Sequence, residues 1–255
     1  MFGRKGVDGS REPQGVGKEV EIAVRMKAYG RGRPEIKICG ITRLKEAVYL
    51  NEIQAEYAGF VFWEKSKRNV SFSQAEQICR LLDKKIKRVA VTVSPGVGVA
   101  RRIAEAGFDI LQIHGELSEE VLRKCLIPIW RAYNLQKPED LKSAERHPKI
   151  AGYVIDAGAS GSGRTFDWEG SLGILDKMKV TVFAGKKFIL AGGLDSQNVG
   201  KAVRMFQPDV VDVSSGVEGT QGKEQALVAE YAKAARDAGA GVEVSDRNCM
   251  SKGKC

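Results

Sequence analysis

Histidine and cysteine are scarce in this sequence of 255 residues. His114 and His147 are its only histidines, and no CxxC pair accompanies them, which argues against a zinc site. The five cysteines, an odd number scattered from Cys39 to Cys255, do not resemble the disulfide framework of a secreted protein. We therefore expect neither a metal site nor a disulfide-stabilised fold.

Long apolar runs are also missing. No stretch approaches the roughly 20 residues that cross a bilayer, and the basic, polar residues 1–15 do not form a signal peptide. We therefore expect a cytoplasmic protein without a membrane partner. The formal net charge is +9, and residues 1–34 contribute +4 of it, with eight Lys and Arg against four Asp and Glu. Such a segment either solvates a flexible end or contacts nucleic acid. Because no aromatic residues alternate with the charges, we expect no nucleic-acid partner.

From residue 35 onwards, short apolar runs alternate with amphipathic segments of helical length. The runs cover residues 36–38, 57–62, 88–93, 110–113, 128–133, 151–155, 187–190 and 210–213. Apolar strands separated by helices are typical of a parallel sheet buried on both faces. Eight such units predict an α/β protein with a closed (β/α)₈ barrel, the TIM-barrel fold, as a single domain.

Several boundaries follow from this pattern. We expect a flexible basic extension over residues 1–34, the barrel over residues 35–238, and a disordered, Gly-rich and polar tail over residues 239–255. The fifth helix is predicted to start near Pro138, and a helix is predicted over residues 168–178. Ser73 is predicted to cap the second helix.

Two candidate catalytic side chains follow predicted strands, at the end of the barrel where active sites of this fold lie. Cys39 follows the first strand. A free cysteine is usually a small core residue, whereas beside a cationic group it becomes a thiolate, hence a base or nucleophile. Asp156 ends the sixth strand, where a carboxylic acid is well placed for proton transfer. His114, after the fourth strand, fits a structural hydrogen bond as well as catalysis.

The remaining loops carry groups suited to anions. Arg68, after the second strand, is the best candidate for a carboxylate, because guanidinium pairs with carboxylate in a two-point fork. Phosphate sites of this fold are commonly formed by the loops after the last two strands, and glycine loops bring backbone N–H groups close to an anion. The candidate phosphate-binding residues are Gly163, Gly192, Gly193, Ser214, Ser215 and Gly216.

Six motifs in order and register resemble the phosphoribosylanthranilate isomerase family of tryptophan biosynthesis. They are KICGIT (37–42), GFVFWEKSKRNVS (59–71), LQIHGE (111–116), GSGRTFDW (161–168), LAGGLDSQNV (190–199) and VDVSSGVEG (211–219). The resemblance implies a general base at Cys39, a general acid at Asp156 and a contact between Arg68 and the anthranilate carboxylate. With it, we assign further substrate contacts to Lys37, His114 and Asp212.

The implied reaction is an Amadori rearrangement of a small phosphorylated substrate, without a cofactor, by a monomer or homodimer. It needs a protonated acid and an ionised base at one pH, so we expect a raised pKa for Asp156 and a lowered pKa for Cys39. Two alternatives are another phosphosugar barrel, such as an isomerase of the histidine pathway or indole-glycerol-phosphate synthase, and a catalytically silent barrel that binds a partner through its basic arm. The cysteine in KICGIT disfavours the first, and the presence of both the candidate acid and the candidate base disfavours the second.

Overall fold

The computed structural model describes residues 33–134, 146–156 and 168–250. Eight parallel strands form a closed barrel in which β8 pairs with β1. The strands are β1 (Glu35–Cys39), β2 (Tyr57–Val61), β3 (Lys87–Val93), β4 (Ile110–His114), β5 (Ile129–Asn134), β6 (Ile150–Asp156), β7 (Lys187–Ala191) and β8 (Val210–Val213). The predicted (β/α)₈ barrel is therefore confirmed.

Helices connect the strands on the outside of the barrel. The described helices are α1 (Leu44–Glu52), α2 (Phe72–Cys79), α3 (Val97–Glu105), α4 (Glu119–Lys124), α5 (Trp168–Thr181), α6 (Val199–Phe206) and α7 (Gln225–Met250). After β8, a 3₁₀ turn (Ser215–Val217) leads into a two-stranded hairpin of β9 (Glu218–Gly219) and β10 (Gly222–Lys223).

Alternation along β1 and β8 decides which side chains enter the barrel. Successive side chains of a strand point to opposite faces. Ile36 and Ile38 are fully buried in the layer between strands and helices, so Lys37 and Cys39 point into the barrel. The same alternation turns Asp212 inward, and the register places it beside Lys37. The candidate base thus stands at the mouth of the barrel, directly above a buried charged pair.

A second apolar cluster lies inside the barrel. Its members include Val89, Trp130, Val154 and Ile189, each 2% exposed or less. A barrel interior filled by large side chains is a packed core rather than a pore. Among the described residues, a cavity open to a ligand lies at the carboxyl ends of the strands.

Some of the predicted helix and tail boundaries agree with the structure and others do not. Helix α5 (Trp168–Thr181) confirms the helix expected over residues 168–178. The expected start near Pro138, residues 1–32 and residues 251–255 lie outside the described residues. Helix α7 continues past Gly239 to Met250, and the disordered tail expected over residues 239–255 stays a prediction. A glycine destabilises a helix by only about 1 kcal/mol relative to alanine, so Gly239 does not end α7. The glycine also allows close packing, because a Cβ at Gly239 would lie 2.8 Å from the Arg33 Cα.

The start of α2 also differs from the prediction. Ser71, not Ser73, is the capping residue, and its hydroxyl accepts a hydrogen bond from the Gln74 N–H at 3.1 Å. Among the described residues, no helix is both long and apolar enough to cross a membrane.

Candidate active site

A cavity of about 410 Å³ opens at the carboxyl ends of the strands. It brings together residues from seven strands or the loops that follow them, as expected for this fold. The predicted site residues that line it are Cys39, Arg68, His114, Asp156, Gly192, Gly193, Asp212, Ser214 and Ser215. Gly163 lies outside the described residues.

Cys39 is half-buried at the end of β1. The neighbouring residue on β2 is Gly59, where a Cβ would come within 2.9 Å of the Cys39 Sγ, so the thiol depends on a glycine beside it. Burial raises the pKa of the Cys39 thiol; Lys37 and Lys223 lower it and Asp212 raises it, and burial prevails. The expected lowered pKa is therefore wrong, because the cations near the thiol do not offset its loss of hydration.

Beneath the thiol, Lys37 and Asp212 form a buried ion pair. The Lys37 Nζ donates to the Asp212 Oδ2 at 2.8 Å, and their side chains are 0% and 6% exposed. Burial lowers the pKa of Lys37, but attraction to Asp212 and Cys39 outweighs burial and raises it. Lys37 is therefore a cation under the site, whereas Asp212 also lines the cavity. The second Asp212 oxygen, Oδ1, is buried and accepts no hydrogen bond.

Arg68, the predicted carboxylate contact, already holds a carboxylate of the protein. Its Nε and Nη2 donate to the two carboxylate oxygens of Glu218 at 2.6 and 2.7 Å, a two-point fork. The arginine side chain crosses Gly40, where a Cβ would lie 2.4 Å from the Arg68 Cδ. Gly40 also has a φ of +78°, a backbone conformation that favours glycine. This position therefore both turns the chain after β1 and admits the arginine.

His114 is a neutral imidazole at the end of β4. Burial, together with the positive charges of Lys37 and Arg131, lowers its pKa to about 4. Its Nε2 lies 3.0 Å from the Gln112 Nε2, so the imidazole accepts from that amide when its proton is on Nδ1. The amide oxygen of Gln112, Oε1, is buried without a partner while Gln112 lines the cavity.

Asp156 ends β6, in register with Asn134 of β5 and Ala191 of β7. Its side chain is partly exposed and lines the same cavity as Cys39. The acid and base candidates thus come from opposite parts of the barrel sheet and meet at one opening. The expected raised pKa of Asp156 stays a prediction.

The loops after β7 and β8 approach each other through glycines. Gly192 and Gly193 have φ values of +90° and +64°. A Cβ on Gly216 would lie 2.0 Å from the carbonyl oxygen of Leu194, so only glycine fits there. Ser214 donates from its Oγ to the Cys39 carbonyl at 2.9 Å. The Ser214 hydroxyl proton is thereby used within the protein, while Gly192, Gly193 and Ser215 remain along the cavity.

A family model described as N-(5'phosphoribosyl)anthranilate (PRA) isomerase matches residues 36–234. This match spans the whole barrel, including every element that lines the cavity. The chain belongs to the PRA isomerase family. The resemblance carried by the six motifs is therefore confirmed at the level of the family.

Curated members of the PRA isomerase family align over most of their length. The N-(5'-phosphoribosyl)anthranilate isomerase of Thermoanaerobacter sp. is 38% identical over 190 residues, which are 72% of this chain and 89% of the relative. The enzyme of that name from Streptococcus gordonii is 36% identical over 205 residues, 80% of this chain and 98% of the relative.

Solved structures of the family superpose on the barrel. Phosphoribosyl anthranilate isomerase from Thermotoga maritima has a TM-score of 0.70 and 32% identity, covering 80% of this chain and 99% of that chain. A phosphoribosyl anthranilate isomerase solved with reduced 1-(o-carboxyphenylamino)-1-deoxyribulose 5-phosphate has a TM-score of 0.68 and 31% identity, with the same coverage.

Sequence reasoning missed three polar residues of the site in this PRA isomerase family member. Gln112 and Glu218 stand inside quoted motifs but were given no role, and Lys223 lies beyond the last motif. Two signals were available: Gln112 is a polar residue inside an apolar run, and Glu218 is an acid in a loop expected to bind anions. Lys223 carries no comparable signal, because its burial depends on the hairpin β9–β10.

Proposed function

We propose that this protein is a phosphoribosylanthranilate isomerase, which converts N-(5-phosphoribosyl)anthranilate into 1-(o-carboxyphenylamino)-1-deoxyribulose 5-phosphate. The observation that carries the proposal is the cavity itself. The Cys39 thiol and the Asp156 carboxyl group line it at the ends of separate strands, with Arg68 on one side and glycine loops on the other. Membership of the family supports the same reaction.

Asp156 is the proposed general acid. In its protonated form it donates to the furanose ring oxygen, the C1′–O bond breaks, and the anilino nitrogen lone pair forms a Schiff base. Cys39, as thiolate, then removes the proton from C2′ to give an enolamine, which tautomerises to the aminoketone. The two groups need opposite protonation states, which their separate strands and surroundings allow.

The raised pKa of Cys39 has a consequence for this mechanism. A base with a high pKa is ionised in only a minor fraction of free enzyme at neutral pH, but each thiolate is a stronger base. Because Asp156 must be protonated while Cys39 is ionised, the reactive form is a minor part of the singly protonated pair, whose population is constant between the two pKa values. We therefore expect kcat/KM to fall only as pH exceeds the raised pKa of Cys39, and steady-state kinetics from neutral to alkaline pH checks this. A kcat/KM that already falls at neutral pH would contradict the raised pKa.

The polar groups of the cavity match the substrate's functional groups. We propose that Arg68 binds the anthranilate carboxylate and that the loops with Gly192, Gly193, Ser215 and Gly216 bind the phosphate. The two unpaired buried acceptors, Gln112 Oε1 and Asp212 Oδ1, suit the hydroxyl and anilino N–H donors of the substrate. A buried acceptor without a partner is costly, so donors from a ligand would be favoured there. His114 lines the same cavity, whereas Lys37 is buried beneath it and supports Asp212 instead of contacting the substrate.

We also propose that the protein acts in the cytoplasm as a monomer or homodimer. The Thermotoga maritima relative is described as a dimeric enzyme from which monomers were generated, so both states occur for this fold. Size-exclusion chromatography with light scattering distinguishes them, and a larger assembly would overturn this proposal.

Substitution of the acid and the base tests the catalytic proposal. The purified chain is assayed with phosphoribosylanthranilate by loss of substrate fluorescence. Cys39→Ala and Asp156→Asn are each expected to lower kcat by about 10²–10⁴-fold, the usual contribution of a general acid or base. Cys125→Ala, which removes a thiol that is 8% exposed and does not line the cavity, is the control and retains turnover. Parent-like turnover by Cys39→Ala or Asp156→Asn would refute the assigned role.

A further inference from the structure

Lys223 is a buried cation beside the cavity, and the proposed reaction assigns it no role. Its side chain is 0% exposed. The Nζ donates to the Glu218 Oε1 at 2.7 Å, the Ser214 carbonyl at 3.0 Å and the Ser214 Oγ at 3.2 Å. All three hydrogens of the ammonium group are thus directed to acceptors of the loop after β8. A buried lysine is costly unless it is paired in this way.

The fold fixes Lys223 from two sides. In the hairpin β9–β10, Lys223 pairs in register with Glu218, and directly opposed residues of an antiparallel pair project to the same face. The backbone N–H of Lys223 also donates at 3.0 Å to the carboxylate of Glu46, which is fully buried at the start of α1. Glu46 in turn accepts from the Thr42 N–H. The loops after β1 and β8 are therefore tied together at Lys223.

A short chain of hydrogen bonds leads from Lys223 to the candidate base. The Ser214 Oγ accepts from the Lys223 Nζ and donates to the Cys39 carbonyl. We propose that Lys223 is a positioning residue that holds Ser214 against Cys39 and whose charge favours the Cys39 thiolate, while Glu218 limits that charge. This proposal rests on the assignment of Cys39 as the base.

The balance of charge around Cys39 explains why Lys223 matters. Lys37 is offset by Asp212 at 2.8 Å. In contrast, the single carboxylate of Glu218 is shared among Arg68 at 2.6 Å, Lys223 at 2.7 Å and the exposed Lys67 at 3.7 Å, so it does not offset all of their positive charge. Lys223 lowers the pKa of the thiol, against the larger effect of burial. The charged or titratable groups toward the thiol and across the cavity are Lys37, Arg68, Asp212, Lys223, His114 and Asp156.

Alkylation of the thiol tests the proposal without any substrate. The full chain is treated with iodoacetamide, an uncharged reagent, over a range of pH, and modification of the peptide that contains Cys39 is followed by mass spectrometry. Since only the thiolate reacts, loss of a nearby charge changes the rate below the thiol's pKa. Lys223→Met is expected to slow alkylation at neutral pH on the order of tenfold, and Glu218→Gln to accelerate it several-fold.

An electrostatic role predicts slower alkylation in Lys223→Met and faster alkylation in Glu218→Gln. A merely structural role predicts that both substitutions loosen the site and change the alkylation rate in the same direction. Lys233→Met, which removes a lysine 79% exposed on α7, is the matched control and reacts like the parent chain. A rate for Lys223→Met equal to that of the parent would overturn the proposal, and so would an unchanged or slower rate for Glu218→Gln. If Lys223→Met does not fold, the alkylation rate of Glu218→Gln alone tests the proposal. If Cys39 is not the base, Cys39→Ala retains turnover, and this result is independent of the alkylation rates.

Discussion

Glu218 accepts hydrogen bonds from two cations, and its removal should weaken the fold in a manner that depends on pH. Its carboxylate is 13% exposed and contacts Arg68 and Lys223. Burial raises the pKa of Glu218, but the hydrogen bonds from Arg68 and Lys223 outweigh burial and lower it to about 2. We predict that Glu218→Gln, which keeps the shape and loses the charge, destabilises the protein above pH 5 and progressively less below it.

The magnitude follows from the difference between folded and unfolded states. The pKa of an unfolded glutamate is about 4.3, and each unit of difference is worth about 1.36 kcal/mol. The lowered folded pKa means that the stabilisation is present above about pH 4.3 and is lost as pH falls toward 2. It amounts to about 3 kcal/mol at most and about 2 kcal/mol after allowance for water near the carboxylate. For a chain of this size that corresponds to a fall in Tm of about 4–12 °C.

Thermal unfolding followed by circular dichroism measures the effect at pH 6 and at pH 3. The difference in the free energy of unfolding between parent and Glu218→Gln should shrink to about half between these two values. Glu76→Gln removes a carboxylate 64% exposed that pairs with Arg80, and as a surface pair it should change stability by less than about 1 kcal/mol. A difference for Glu218→Gln that is equal at both pH values would refute the reasoning.

Three further substitutions test other parts of the structure. Lys37→Met leaves the Asp212 carboxylate buried and unpaired, so unfolding in urea should show a loss of about 3–5 kcal/mol, and a smaller loss in the double variant with Asp212→Leu. Gly216→Ala forces the loops after β7 and β8 apart and should raise KM by about tenfold or more, whereas Gly98→Ala, with open space around it, should not. Ser71→Ala should cost about 1 kcal/mol in thermal unfolding, and Ser73→Ala should cost nothing if Ser71 is the cap.

The fold was predictable because the strands and helices have local sequence patterns. The eight apolar runs are short and continuous, and the observed strands begin or end within a few residues of them. The positions after these strands were equally accessible, since a barrel brings all carboxyl ends to one face. Cys39, Arg68, His114 and Asp156 therefore meet at one cavity as expected.

The pairings within the site could not be predicted from the sequence. Arg68 and Glu218 are 150 positions apart, and Lys37 and Asp212 are 175 apart. Such contacts depend on the closure of the barrel and the register between β1 and β8, which no local pattern specifies. The pKa of Cys39 was mispredicted for a related reason. Its direction is the net result of opposed effects of burial and charge, and burial is a property of the folded chain.

The fork between Arg68 and Glu218 is compatible with a second carboxylate on the same guanidinium. Arginine has five N–H donors, and only two of them, on Nε and Nη2, donate to Glu218. The other three include both hydrogens of Nη1, so the edge formed by Nη1 and Nη2 can still offer a two-point fork to a ligand. Glu218 therefore need not leave when a carboxylate arrives. Its bonds instead fix the plane of the guanidinium in advance, which lowers the entropy that substrate binding would otherwise lose. Because Lys223 holds the same Glu218 carboxylate, Arg68 and the surroundings of Cys39 are parts of one hydrogen-bonded network.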